Sequence, residues 1–222
     1  MPMPKPLIFL LFITQLQLAC SFNSTQTNTS QLQGNHNDSN GSQATPCSPD
    51  RSLSAGAALL FGCIQSSLTI DERNHLFDIS GLRITADSEH LVEIKEVDEY
   101  PAEQTVFIAD INQDGNEDVF IQHGNHSLCG TDGRQFEGYF KTDSTTYTQG
   151  WKALGADVKI LSTIHNGFPD IVPAVGGFHF NLYAWDGKSY KPRKFMTSNE
   201  LSMRTGKMLA DIATISAAPF ED

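Results

Sequence analysis

The sequence has little positive charge. It contains 15 Lys and Arg residues against 26 Asp and Glu residues, which gives a formal net charge of −11 at pH 7. Proteins that bind nucleic acid need a basic surface that neutralises phosphates, so this composition argues against a nucleic-acid partner. A net negative charge is otherwise compatible with solubility and does not determine the fold class.

Long apolar runs are also missing. The N-terminal run, residues 7–13 (LIFLLFI), is only seven residues long. A membrane-spanning helix needs about 20 apolar residues. Lys5 precedes the run, and a short basic segment followed by a short apolar one is typical of a secretory signal peptide. We therefore expect residues 1–19 to be a signal peptide and exclude them from the fold.

The end of this segment predicts a lipid anchor on Cys20. Residues 16–20 (LQLAC) resemble a bacterial lipobox, although Gln17 stands where that family usually has Leu. Acyl chains hold a protein on a bilayer because each buried methylene contributes about 0.8 kcal/mol. Ser21 resembles an outer-membrane sorting signal, which implies a cell-envelope lipoprotein that faces the periplasm or the exterior. The alternative is an ordinary secreted protein in which Cys20 is free or disulfide-bonded.

Charged and apolar residues are scarce between residues 21 and 50. Nineteen of these 30 residues are Ser, Thr, Asn or Gln, and the only charges are Asp38 and Asp50. Such a segment cannot bury enough apolar surface to offset the entropy of ordering it. We expect residues 20–50 to form a lipidated cysteine followed by a disordered tether, with a reach of about 30 Å.

Residues 51–222 are long enough for one domain with a hydrophobic core. Short alternating or β-branched segments separated by Asp-Gly and Asn-Gly turns indicate antiparallel sheets. The predicted strands are 82–86, 91–97, 105–110, 118–123, 135–141, 158–163, 170–172, 178–185 and 189–191. Helices are predicted over residues 51–64 and 198–213, the second capped by Ser198 or Asn199. Its candidate buried positions are Leu201, Met208, Leu209 and Ile212.

The motif with the clearest chemistry is DINQDGNED at residues 110–118. The candidate oxygen ligands are Asp110, Asn112, Asp114, Asn116 (through its carbonyl) and Asp118. Calcium binds about six to eight oxygens, and this spacing can wrap them around one point while Gly115 allows a sharp turn. The motif is not an EF-hand, because Ile121 occupies the position of the bidentate Glu. The alternative is a polar Asp-Gly hairpin that binds no ion.

With strands predicted on both sides, this loop resembles the calcium loop of FG-GAP and VCBS-like repeats, which form integrin-type β-propellers. Residues 167–177 (GFPDIVPAVGG) resemble the core of the same repeat, and a shift of 52 residues superposes Gly115 on Gly167 and Asp118 on Asp170. In this second copy the early ligand positions hold Ser162, Ile164 and Asn166. We therefore expect it to bind no calcium and Asp170 to fix the turn.

The resemblance implies a single FG-GAP-like domain over residues 51–222. Its expected fold is mainly β, with compact propeller-blade-like antiparallel sheets and short flanking helices. A complete propeller has about four to eight blades, and this chain is too short for a large one. The resemblance also implies Ca²⁺ as the bound cofactor, held by the loop at residues 110–118.

The remaining cysteines allow a disulfide but indicate no catalyst. Cys47–Cys63 is the first candidate pair and Cys63–Cys129 the alternative, since an exported protein can hold disulfides. Cys129 lies close in sequence to His123 and His126, but an activated thiol needs a base within hydrogen-bond reach. Zinc at these three residues would lack an evident fourth ligand. The common hydrolase and phosphate-binding motifs are missing, so we expect no enzymatic activity.

These features predict a lipid-anchored, calcium-binding β-domain that acts as a non-enzymatic binding protein in the cell envelope. Its partner would be an envelope protein or a glycan. The alternative is a periplasmic inhibitor or immunity protein that blocks a cell-wall hydrolase or toxin, because an acidic surface suits a basic enzyme. A hydrolase that uses Cys129 is the least favoured hypothesis.

Overall fold

A computed structural model of the protein describes residues 52–62, 64–93, 103–124, 134–141, 146–175 and 177–217. The signal peptide, the tether and all four cysteines (Cys20, Cys47, Cys63 and Cys129) lie outside these ranges. The predictions of lipidation, of the disulfide and of a cysteine nucleophile therefore fall on residues outside the described part. Within the described ranges, no helix is long and apolar enough to cross a membrane.

Two short helices and a two-stranded ribbon precede the main sheets. Helix α1 spans Ala55–Phe61, helix α2 spans Ile70–Ile79, and strands β1 (Leu82–Ile84) and β2 (Leu91–Glu93) pair antiparallel. Helix α1 lies inside the predicted segment 51–64, whereas α2 was not predicted from the sequence. Thr69 begins α2 through a capping box with Glu72, which satisfies the free N–H groups of the first turn.

The first large sheet is a meander of four strands with a fifth strand from the C-terminal end of the chain. Its strands are β3 (Glu103–Ala109), β4 (Asp118–Gly124), β5 (Arg134–Lys141), β6 (Tyr147–Gly155) and β12 (Thr214–Ala217). All pairs are antiparallel, in the order β12-β3-β4-β5-β6.

The second large sheet repeats this arrangement. Its strands are β7 (Asp157–His165), β8 (Phe168–Ala174), β9 (His179–Trp185), β10 (Tyr190–Thr197) and β11 (Gly206–Met208). The order β11-β7-β8-β9-β10 matches that of the first sheet, because a late strand again lies beside the first strand of a meander. The predicted mainly β, antiparallel fold with short helices is confirmed at this level.

The predicted helix over residues 198–213 is wrong. The segment forms helix α3 (Ser198–Ser202), strand β11 and helix α4 (Leu209–Ile212). Thr197, rather than Ser198 or Asn199, caps α3. The chain pairs with β7 at Gly206, where a Cβ would lie only 2.3 Å from the carbonyl oxygen of Ile160. This tertiary pairing overrides the local helical pattern, so Leu209 is buried and Ile212 is exposed.

Aromatic side chains fill the space between the two large sheets. Phe140 of β5 lies 5.6 Å from Phe168, 5.2 Å from Trp185 and 5.4 Å from Tyr190, measured between ring centroids, and all three partners belong to the second sheet. Trp151 of β6 adds a further contact across the interface. Such pairs contribute about 0.5–1.5 kcal/mol each beyond their buried area.

The opposite face of the first sheet packs against the helices. Val119 and Ile121 alternate with Phe120 along β4, so they point away from the second sheet and contact the α1 and α2 layer. Leu60 of α1 and Leu76 of α2 belong to this second core. The first sheet is thus covered on both faces, and every residue of β4 is buried.

The aromatic core predicts that Gly150 cannot accept a side chain. A Cβ at this position would lie 2.7 Å from Phe140 and 3.0 Å from Trp185, so the rings must move. We expect Gly150→Ala to lower the free energy of unfolding by about 1–3 kcal/mol, measured by urea denaturation. Thr148→Ala, at an exposed position of the same strand, is the control and should change it by less than about 0.5 kcal/mol. Equal stability of the two variants would contradict this packing.

Candidate functional site

The candidate calcium loop connects β3 to β4, as the sequence predicts. Gln113 and Gly115 both have positive φ angles, of 60° and 90°, so the chain turns sharply twice within the loop. Glycine adopts such angles without steric cost, whereas Gln113 is a non-glycine residue in the left-handed region. The loop therefore has a defined, tightly turned backbone between two buried strands.

Four of the five predicted ligands line the accessible part of this loop. Asp110 accepts hydrogen bonds from the N–H groups of Asp114 (3.1 Å) and Gly115 (2.9 Å), and Asp114 accepts one from the N–H of Asn116 (2.7 Å). The amide of Asn112 donates to Asp114 across 2.9 Å. Asp110 and Asp114 are exposed, and Asn112 and Asn116 are half-buried. These contacts leave carboxylate lone pairs available for a cation.

Asp118, the fifth predicted ligand, differs because it is buried. Its side chain is 2% exposed and accepts a hydrogen bond of 3.0 Å from the N–H of Ile111. Burial raises the pKa of Asp118 to about 8, and the negative charges of Asp114 and Asp110 contribute in the same direction. A carboxylate in such surroundings takes up either a proton or a cation, because its charge is otherwise uncompensated.

Asp170 occupies the corresponding place in the second sheet, and its buried carboxylate is compensated in a different way. It is 3% exposed and accepts hydrogen bonds of 2.6 Å from the Thr163 hydroxyl and 2.6 Å from His165 Nδ1. The tight turn at Asn166 and Gly167 lies between His165 and Asp170, with positive φ at both of its residues. Asp170 thus accepts hydrogen bonds from two side chains on the preceding strand, across the turn that joins β7 to β8.

The three carboxylates of the β3–β4 loop (Asp110, Asp114 and Asp118) do not all lie within ligand distance of one another. Within the described ranges, the one group of three acidic or histidine side chains whose ligating atoms all lie within 4.8 Å is Asp87, Glu89 and His90. At least one pair among the loop's three carboxylates is therefore farther apart. Like charges repel in the absence of a cation, so this spacing is compatible with a loop that contracts around an ion. The donor set, all oxygen, fits a hard cation.

The Asp87 group was not predicted from the sequence. All three of its side chains are exposed. Asp87 already accepts hydrogen bonds from the Thr85 hydroxyl and the Glu89 N–H, which close the turn between β1 and β2. The closeness of these three side chains is therefore explained by the turn that they belong to.

A cavity of about 280 Å³ lies beside the calcium loop, lined by Asp71, Glu72, His75, Thr146 and Tyr147. The Tyr147 hydroxyl donates a hydrogen bond of 2.6 Å to the carbonyl of Glu117, inside the loop. The Glu117 carboxylate accepts one from the N–H of Ser67. Burial raises the pKa of Tyr147, and the nearby acidic side chains add to this effect. The cavity and the loop therefore share Tyr147 as a direct structural link.

His123 lies in a buried polar network. Its Nδ1 donates to Glu93 across 3.0 Å, and its Nε2 lies 3.5 Å from Glu137 Oε1. Glu137 also accepts hydrogen bonds from Lys152 Nζ (2.8 Å) and from the Tyr139 hydroxyl (2.5 Å). The network joins the ribbon to the first sheet, and its members are too far apart in sequence to be grouped in advance.

No family model, no curated protein and no solved structure matches this chain. Its fold and candidate sites are therefore interpreted from their own geometry.

The buried network predicts a pH-dependent stability. Burial raises the pKa of Glu137, but hydrogen bonds from His123, Lys152 and Tyr139 outweigh this effect and hold it at about 2. Because the folded pKa lies below the unfolded value, the stabilisation is complete above about pH 4.5 and is lost as the pH falls towards 2. We expect Glu137→Gln to lower the free energy of unfolding by about 3 kcal/mol at pH 7 and by much less at pH 3.

Urea denaturation at both pH values measures this difference. Glu89→Gln is the control, because the Glu89 side chain is exposed on the turn of the ribbon. If Glu137→Gln lowers the free energy of unfolding equally at both pH values, the charge of Glu137 is not what stabilises the network.

Proposed function

We propose that this chain is a lipid-anchored, calcium-binding β-domain that acts as a non-enzymatic binding protein in the cell envelope. The observation that carries the calcium proposal is the loop at residues 110–118. It combines a left-handed Gly115 and exposed oxygen ligands with the buried carboxylate of Asp118. A bound cation would neutralise this carboxylate and hold the β3–β4 hairpin in register.

A family relationship to FG-GAP and VCBS-like repeats is part of this proposal. It is supported by two four-stranded antiparallel meanders of the same strand order. Asp118 and Asp170 lie in the second strand of each meander. A propeller blade is a four-stranded antiparallel sheet, so each meander would correspond to one blade. The calcium loop would be retained in the first copy and replaced by protein donors in the second.

Calcium binding predicts a higher melting temperature. With a dissociation constant of about 0.1 mM, calcium at about 10 mM stabilises the fold by about 2.7 kcal/mol, which raises the melting temperature by about 5–10 °C. Asp114→Ala should abolish this rise because it removes a ligand. Asp118→Asn should also abolish it, yet be no less stable than the wild type in chelator, since Asn is neutral like the protonated Asp118 and keeps an oxygen for Ile111. Differential scanning calorimetry with calcium, with magnesium and with chelator measures these effects.

Asp170→Asn is the matched control for Asp118→Asn. It disrupts the hydrogen bonds from Thr163 and His165, so it should lower stability in chelator and in calcium alike. It should nevertheless retain the calcium-induced rise. If calcium does not change the melting temperature of the wild type, the proposal that this loop binds calcium is contradicted.

The cavity beside the loop favours a protein partner that presents a basic side chain. Asp71 and Glu72 line it, and its volume of about 280 Å³ suits a single side chain. Glu72 already pairs with Lys141, so Asp71 is the carboxylate that would meet the basic side chain. The second candidate function, an inhibitor or immunity protein that blocks a cell-wall hydrolase or toxin, draws on the same feature because such a partner would be basic. Carboxylates around a cavity steer and orient a cationic group.

Capture from envelope extract tests the partner proposal. We expect the full chain to retain a protein or glycan in the presence of calcium, and to retain about tenfold less when Asp71→Asn changes the cavity or Asp114→Ala changes the loop. A captured hydrolase whose activity falls on binding would establish the inhibitor function. Retention that is independent of both variants would contradict a binding role for this site.

A further inference from the structure

Strand β10 carries a cluster of positive charge on an otherwise acidic chain. Four cations occur within seven residues, with no acidic residue among them: Lys188, Lys191, Arg193 and Lys194. All four are exposed. From residue 157 to residue 217 the chain has seven Lys and Arg against five Asp and Glu, whereas residues 51–156 have seven against seventeen. We call these four residues the basic edge.

The basic edge lies on an edge strand and is exposed to solvent. Strand β10 is the last strand of its sheet, so no strand in the described part pairs with its outer side. Five successive residues, 191–195, are exposed between the buried Tyr190 and Met196. A register shift between Pro192 and Lys194 interrupts the usual alternation of buried and exposed side chains. The strip ends at Phe195, whose side chain is 72% exposed.

Edge protection explains only part of this pattern. Lysine, proline and bulges all discourage an edge strand from pairing with another chain, and β10 has all three. Charges of either sign would serve that purpose, yet every charge here is positive in a chain with 26 acidic residues. Protection also gives no reason for an exposed aromatic ring at the end of the strip. Cations beside an exposed aromatic side chain are typical of a surface that lies on an anionic bilayer.

The nearest acidic side chains are already engaged. Asp186 accepts hydrogen bonds from the N–H groups of Lys188 and Ser189. Glu200 caps α3 through Thr197 and lies 4.0 Å from Lys194. At physiological salt the Debye length is about 8 Å, so a membrane interacts mainly with the charges closest to it. The overall negative charge of the chain therefore does not prevent a local attraction.

We infer that the basic edge, together with Phe195, is a docking surface for anionic phospholipid bilayers. The inference rests on the proposed envelope location, because a tether that reaches about 30 Å keeps the domain close to a membrane. Docking would orient the domain with this strip on the lipid surface, in addition to any acyl anchor. Each cation near an anionic membrane strengthens binding about fivefold.

Vesicle partitioning tests this surface. The full chain with Cys20→Ser, which excludes an acyl contribution, is mixed with vesicles of phosphatidylcholine alone or with equal parts phosphatidylglycerol. We expect binding to the anionic vesicles only. Lys188→Gln with Lys191→Gln should weaken it about twentyfold, since both side chains are exposed and their charges would face the lipid surface. Phe195→Ser should weaken it about tenfold.

The matched control removes two positive charges outside the basic edge. Lys207 lies on β11, the opposite edge strand of the sheet, and Arg204 precedes that strand. Arg204→Gln with Lys207→Gln should alter binding by less than about threefold. An equal loss in both double variants would overturn the inference, because net charge alone would then explain binding. Binding to a soluble polyanion without partitioning into anionic vesicles would also overturn it.

Two independent readouts separate this inference from the proposed function. Incorporation of labelled palmitate at Cys20 in cells reports the anchor alone, and calcium-dependent melting reports the loop alone. Anionic vesicle binding of Asp114→Ala should equal that of the wild type. A loss of vesicle binding in that variant would overturn the assignment of docking to the basic edge.

Discussion

The structure depends on the aromatic packing between its two large sheets. Phe140 lies at the centre of this core and contacts rings from β8, β9 and β10. Gly138 and Gly150 leave the space that its ring occupies, since a Cβ at either would come within 2.8 Å of it. Because the sheets are joined here, the β3–β4 loop and the β7–β8 turn are held close to Tyr190, which packs against the same ring and donates to the carbonyl of Pro169.

Two buried carboxylates, one in each sheet, show how similar backbones can lead to different chemistry. Asp170 is compensated by two protein donors at 2.6 Å, Thr163 and His165. Asp118 receives one backbone N–H, and burial, together with the charges of Asp114 and Asp110, raises its pKa to about 8. The energetic difference lies in what neutralises the charge. A proton or a cation must do for Asp118 what Thr163 and His165 do for Asp170.

Charge is distributed unevenly over this fold, and each region suits a partner of opposite sign. The acidic loop and the adjoining cavity, linked by Tyr147 and Glu117, suit a cation and a basic side chain. The basic edge on β10 suits an anionic surface. The Glu93–His123–Glu137 network joins the ribbon to the first sheet, with His123 and Glu137 buried and Glu93 partly exposed.

The sequence alone indicated most of the strands, the position of the candidate calcium loop and the equivalent places of Asp118 and Asp170 in their sheets, because alternation, turn residues and ligand spacing are local. It did not indicate helix α2, strand β6 or the full length of β10. It misassigned residues 198–213, where pairing of Gly206 with β7 overrides helical periodicity. The burial of Asp118, the grouping of Glu93 with His123 and Glu137, and the exposure of β10 were decided by tertiary structure. Each of these features depends on which strands, distant in sequence, become neighbours. The packing of the two sheets determines those neighbours, and local sequence patterns do not.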